Sequence, residues 1–186
     1  VTKDTVSRYR SSFAVNNFLA SAYTEGPVGK KLSYVLSARV SPLTYEYRAV
    51  RKFLPQMLGG LDNFNAKVGD LYGKLHFQVN EKSALDASFL GSMDSYGYDT
   101  QGDSRDEMSW DNLLGIVRYR YDGEVTSFNL TASANRYGSR QKQDKTYRGE
   151  VSHVSLRSAL MEYGLKAGLQ HRFLDDRLVT GEGLNL

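Results

Sequence analysis

One stretch, Thr24 to Ser41, restricts the possible fold more than any other. Glu25-Gly26-Pro27 followed by Gly29 predicts a tight turn over 25–30, because proline presets φ and the glycines accept φ > 0. Beyond it the side chains alternate. Leu32, Tyr34, Leu36, Ala38 and Val40 fall on one side, and Lys31, Ser33, Ser37 and Arg39 on the other. A period of two is the signature of a strand. This one has about ten residues, apolar on one face and charged on the other, which suits a strand crossing an outer membrane between lipid and a polar lumen.

The unit repeats along the chain. Strands are expected over 12–23, over the stretch just described, and over 70–80, where Leu71, Gly73, Leu75, Phe77 and Val79 oppose Asp70, Lys74, His76 and Gln78. A fourth sets Leu85, Ala87, Phe89, Gly91 and Met93 against Asp86, Ser88, Ser92 and Asp94; a fifth covers 110–121, and a sixth centres on Phe128 to Asn135. A seventh is expected over 147–158, with Val154 and Leu156 opposite His153, Ser155 and Arg157, and an eighth around Leu165 to Arg172 before a loop-like tail, 174–186. Ala49 to Leu58 is expected to form a short helix limited by Pro55. Short turns near 25–30, 80–83, 122–124 and 159–162 alternate with long connections near 42–69, 97–109 and 138–146, placing the two kinds on opposite sides of the sheet. Outer-membrane barrels have this asymmetry, and a soluble β-sandwich has no reason to keep it. The expected fold is therefore all-β: an antiparallel up-and-down transmembrane β-barrel segment, about eight strands of a larger barrel, with residues 1–186 forming part of one outer-membrane domain.

Composition narrows the functional classes. Thirteen tyrosines, seventeen glycines and only three prolines favour strands and turns. No apolar run is long enough for a membrane helix, which leaves a membrane barrel open because its strands alternate. Cysteine is absent, removing thiolate chemistry and cysteine-ligated metal sites. The net charge of +3 is spread along the strands without a basic run, so no nucleic-acid surface is expected. Val1 to Asp4 opens directly into polar sequence, and the chain is expected to be a processed product or a piece of something longer.

Charged groups on polar strand faces are the candidate site residues: Arg39, Lys74, His76, Arg118 and Arg120 should face the lumen, where they could meet an anionic substrate or pair with acids such as Asp86 and Asp94. His153 with Ser155, or His171 with Asp175, would be the material of a hydrolase, but no nucleophile elbow or H-E-x-x-H pattern accompanies them. His76 and His153 are expected to be lumen-facing polar residues. The acidic stretch Asp99 to Glu107 departs from the EF-hand ligand spacing and is expected to be a solvated loop. No catalytic residue, cofactor or metal is expected. Trp110, Tyr119 and Tyr121 suit an interfacial aromatic girdle.

Three stretches carry a family resemblance. Ser7 to Ser41, S-R-Y-R-S-S-F-A-V-N-N-F-L-A-S-A-Y-T-E-G-P-V-G-K-K-L-S-Y-V-L-S-A-R-V-S, resembles the first barrel hairpin of the TonB-dependent receptors of the Bacteroidota. Tyr72 to Ser92 is similar to the next hairpin, and Trp110–Tyr121 with Tyr163–Phe173 fit the same style. The resemblance implies outer-membrane import of a scarce nutrient (siderophore, glycan, peptide or vitamin). It also implies energy from the TonB–ExbB–ExbD complex acting through a plug, and a surface substrate-binding lipoprotein as a further partner. No plug domain or TonB-contacting box is found in this chain, and eight strands fall short of the 22 of outer-membrane transporters. A segment from the first third of such a barrel is therefore expected, with its first and last strands unpaired. The alternatives are a self-contained eight-stranded barrel acting as an adhesin or structural protein and, further off, an outer-membrane hydrolase.

Overall fold

In the computed structural model, which describes residues 6–41, 43–58, 61–100, 104–147, 150–173 and 178–186, nine strands form one antiparallel sheet in chain order. They are β1 (Arg10–Val15), β2 (Ala20–Val28), β3 (Leu32–Val40), β4 (Leu61–Asn80), β5 (Ser83–Thr100), β6 (Ser104–Asp122), β7 (Thr126–Tyr147), β8 (Glu150–Phe173) and β9 (Leu178–Asn185). A helix, α1 (Leu43–Phe53), and a 3-10 turn (Pro55–Leu58) join β3 to β4. β1 and β9 stand at the two edges and do not pair with each other.

The all-β antiparallel fold agrees with the alternation, but its strands divide differently. The expected strand over 12–23 is two: Asn16 Oδ1 accepts the N–H groups of Phe18 and Leu19, reversing the chain, so the adjacent apolar pair marks a turn. The first tight turn falls at 29–31 with Gly29 at φ 74°, while Glu25, Gly26 and Pro27 belong to β2. β1 pairs only as far as Glu25, leaving Pro27 at an edge on that side, where proline is tolerated. No turn occurs at 159–162. The seventh and eighth expected strands are one strand, β8, paired with β7 without interruption. Part of the expected loop-like tail is β9, paired with β8. The helix sits earlier than expected and ends before Pro55.

The two faces of the sheet differ sharply. Rows running straight across it place Leu32, Phe77, Leu85, Tyr119, Leu130 and Ala167 side by side, then Tyr34, Leu75, Ala87, Val117, Ala132 and Leu165 in the next row. Between them lies a row on the opposite face: Ser33, His76, Asp86, Arg118, Thr131 and Lys166. Leu75 and Phe77 are 51% and 41% exposed, whereas His76 between them is 4% exposed. The buried polar residues include Glu25, Ser33, His76 and Asp86, and the buried apolar ones among the described residues are only Val6, Ala66 and Ala84. A single sheet crowds one face only by curving around it. Here the crowded inner face is polar and the outer face carries the large apolar side chains, the reverse of a water-soluble core. Leu32, Tyr34, Leu36, Leu75, Phe77, Leu85, Phe89, Val117, Tyr119, Leu130 and Leu165 share the outer face as the alternation requires.

The short turns at 29–31, 81–82 and 123–125 lie at one end of the sheet, and the β3–β4, β5–β6 and β7–β8 connections at the other. The stretches expected as loops over 97–109 and 138–146 are mostly strand: β5, β6, β7 and β8 run on past the apolar band as long hairpins, with residues 101–103 and 148–149 outside the described set. Cross-strand polar contacts hold them, among them Arg105 with Asp99 at 3.7 Å and Gln143 with Asp106 at 2.6 Å.

Candidate functional site on the inner face

Near the short-turn end, β4, β5 and β6 bring three of the five candidate residues onto one carboxylate, with a fourth, Arg118, opposite it in the register. Asp86 is buried, and its Oδ1 takes the Nδ1–H of His76 at 2.9 Å and the Lys74 ammonium at 3.4 Å. Its Oδ2 accepts from Arg120 Nη2 at 3.0 Å. The register produces this directly: Asp86 lies opposite both His76 and Arg118, with Lys74 and Arg120 one row to either side. Arg118 turns to Thr131, donating from Nε at 3.3 Å. One carboxylate thus stands among three basic side chains, and bases outnumber acids in the belt among the described residues. Arg39 is not part of it. Its Nε reaches both oxygens of Asp70 at 2.9 Å, six residues along β4 from His76, about 20 Å away.

Between those two positions the inner face is not uniformly polar. Val35, Tyr72, Leu90, Leu114 and Ile116 occupy it, interleaved with Lys74, Ser88, Ser133 and Asn135. Three buried polar atoms there have no hydrogen-bond partner among the described residues: His76 Nε2, Asn112 Oδ1 and Asn135 Oδ1. Buried polar atoms are normally satisfied. All three belong to the inner face, so this face is suited to contact with water or with polar groups of an occupant.

Towards the far end the inner face becomes aromatic. Trp110 lies edge-on to Tyr96, ring centroids 6.2 Å apart, and Tyr47 of α1 packs on Phe64 at 5.4 Å. Thr44 pins α1 to β4 through its hydroxyl, which bonds Ala66 N at 2.9 Å and donates to Asn65 Oδ1 at 3.0 Å. Tyr96, Tyr98, Asp106, Met108, Gln141 and Gln143 line a depression of about 200 Å³. The Asp106 carboxylate accepts the Tyr98 hydroxyl and holds that phenol above its usual pKa. Sequence reading missed this patch. Trp110 belongs to the inner face, and only Tyr119 and Tyr121 share the outer one, so the girdle assignment fails for the tryptophan. The signal was available: Trp110 has the parity of Arg118, eight residues on.

The histidines can also be placed. His153 lies on the outer-face parity, bonded to Asp144 at 2.8 Å, contrary to its expected lumen position, while Val154 and Leu156 share the parity of Lys166. The continuity of β8 decides this, because a single strand carries one parity throughout. His171 bonds Thr126 Oγ1 at 3.0 Å; Asp175 lies outside the described residues. His76 and His153 each meet an aspartate, the contact a hydrolase would need. A triad also needs a hydroxyl on the other ring nitrogen. His76 Nε2 meets none among the described residues. Asp99 and Glu107 both contact Arg105.

No protein-family model matches the chain, and no curated protein matches it. Among solved structures it is similar to BauA, the ferric preacinetobactin receptor of Acinetobacter baumannii, with a TM-score of 0.56 at 11% identity. The match covers 95% of this chain and 35% of the receptor, so the chain spans about a third of that protein's length. At this identity the likeness is one of fold.

Proposed function

We propose that this chain forms part of the wall of an outer-membrane receptor barrel that imports a nutrient, energised by the inner-membrane TonB–ExbB–ExbD complex. The observation that carries the reading is the inversion of the two faces, with large apolar side chains exposed outward and charged ones crowded inward around Asp86. Water favours the opposite arrangement, and a bilayer around a polar lumen favours this one. The fold likeness to a ferric preacinetobactin receptor supports the same reading.

In this role the inner face acts by binding and not by catalysis. The cationic belt of Lys74, Arg118 and Arg120 would meet acidic groups of a plug or of a passing anionic ligand, and the aromatic end would hold substrate before passage. A surface lipoprotein would deliver that substrate from the long-hairpin end, which we take as extracellular. Cell fractionation and uptake test the proposal together. The protein should sediment with the outer membrane, and accumulation of a labelled nutrient should stop when TonB is deleted. Radiolabelled ferric preacinetobactin is the first probe because of the fold likeness. Recovery in the soluble fraction, or uptake indifferent to TonB for every nutrient bound, would overturn it.

A further inference from the structure

One row of the outer face is unlike every other. Just beyond the apolar band on the long-hairpin side, the register places Lys67, Ser95, Ser109, Arg140 and Arg157 directly side by side on β4 to β8. The row is about 19 Å long at ordinary strand spacing. It holds three cations and two hydroxyls and no carboxylate. Arg140 and Arg157 are opposite one another, with Cβ atoms about 5 Å apart in such a pair, and like charges so placed repel. Both are exposed, and neither has an ion-pair partner among the described residues. The carboxylates of the flanking rows are already engaged: Asp111 with Arg136, Glu107 and Asp99 with Arg105, and Asp144 with His153. Lys142, one row further on, adds a fourth cation. Arg140, Lys142, Ser95 and Ser109 border a depression of about 350 Å³.

We infer that this row binds the phosphates of anionic lipid headgroups in the leaflet at the long-hairpin end. The inference rests on the membrane-barrel reading, which makes the outer face lipid-facing. Its position then selects the partner. On the side towards the short turns the row is followed by Gly69, Met93, Asp111, Gly138 and Ala159 and then by Leu71, Gly91, Leu113, Arg136 and Met161, two rows whose charges, Asp111 and Arg136, pair with each other and whose apolar groups would meet acyl chains. A headgroup phosphate sits where those chains end. It supplies the negative charge that Arg140 and Arg157 need and accepts hydrogen bonds from Ser95 and Ser109. Repulsion that destabilises the free sheet becomes attraction once an anion bridges the two guanidinium groups.

The test is reconstitution of the barrel that contains this wall into phosphatidylcholine vesicles with and without phosphatidylglycerol, with melting followed by circular dichroism. Phosphatidylglycerol should raise the melting temperature by about 3 °C or more. Arg157→Lys should keep that shift. Arg157→Glu should abolish it and also raise the melting temperature in pure phosphatidylcholine, by giving Arg140 a built-in partner. Equal melting of the wild type in both vesicles overturns the inference and leaves the barrel reading standing. Failure of that barrel to insert into either vesicle overturns both. Inorganic phosphate reproducing the whole shift in phosphatidylcholine would show a free-anion site and overturn the assignment to lipid.

Discussion

The same four strands, β5 to β8, obey two different rules along their length. In the half near the short turns, the outer face is Leu85, Phe89, Val117, Leu130 and Leu165 and the inner face Asp86, Arg118, Asn129 and Lys166. In the half beyond the apolar band the outer face is charged, with Arg105, Glu107, Arg140, Lys142 and Asp144, and the inner face mixes Asp106, Gln141 and Gln143 with Tyr96, Tyr98, Met108, Val154 and Leu156. Backbone pairing continues across the boundary without a register break. On the proposed membrane-barrel reading the difference is one of surroundings: one half would separate lipid from a lumen, and the other would have water on both sides.

The largest effect that would break or confirm this comparison is a charge placed on the outer face. Leu165→Arg lies in the apolar band and Ser155→Arg lies ten residues away, on the same strand and the same face. Vesicle folding titrations should show a loss of about 2–4 kcal/mol for the first and a few tenths for the second. Equal costs would remove the distinction between the halves.

The inner face gives the next contrast. Asp86→Asn leaves Lys74 and Arg120 without their buried counter-charge and should cost about 3 kcal/mol in urea unfolding. Asp144→Asn removes an exposed partner of His153 and should cost about 0.5 kcal/mol or less. Smallest is a local change. Thr44→Val removes the hydroxyl that pins α1 to β4 and should weaken amide-exchange protection over 43–53 by about 1–2 kcal/mol, with the melting of the band unchanged. Loss of protection across β4 to β8 would show the two halves to be more tightly coupled than proposed.

The boundary between the halves also explains what the sequence disclosed. Inside the band one face is apolar and the other polar, so the alternation of Leu75, His76 and Phe77 registers cleanly and the face of each residue follows from it. The four belt residues and their partner Asp86 were legible for the same reason. Past the band the outer face is charged and the inner face mixed, so the alternation is lost: Asp99 to Glu107 and Gly138 to Thr146 read as loops although paired strands occupy most of them. Two other misreadings have local causes. Asn16 reverses the chain with a side-chain oxygen, which no periodicity reveals. The apparent turn at 159–162 came from reading Val154 and Leu156 as lipid-facing when they carry the parity of Lys166. Arg39 shares the parity of Ser33 and Val35, but its separation from the belt depends on the pairing with Asp70, which is tertiary information.

The inversion of the two faces is the central claim, and site-directed spin labelling in lipid vesicles tests it most directly. Labels at Leu75, Phe77 and Val117 should collide freely with dissolved oxygen and be shielded from a water-soluble nickel chelate, while labels at Ser88 and Thr131 should show the reverse. Protection of Leu75 and Phe77 from both quenchers would instead place them in a dry interior between two protein layers and contradict the membrane-barrel account.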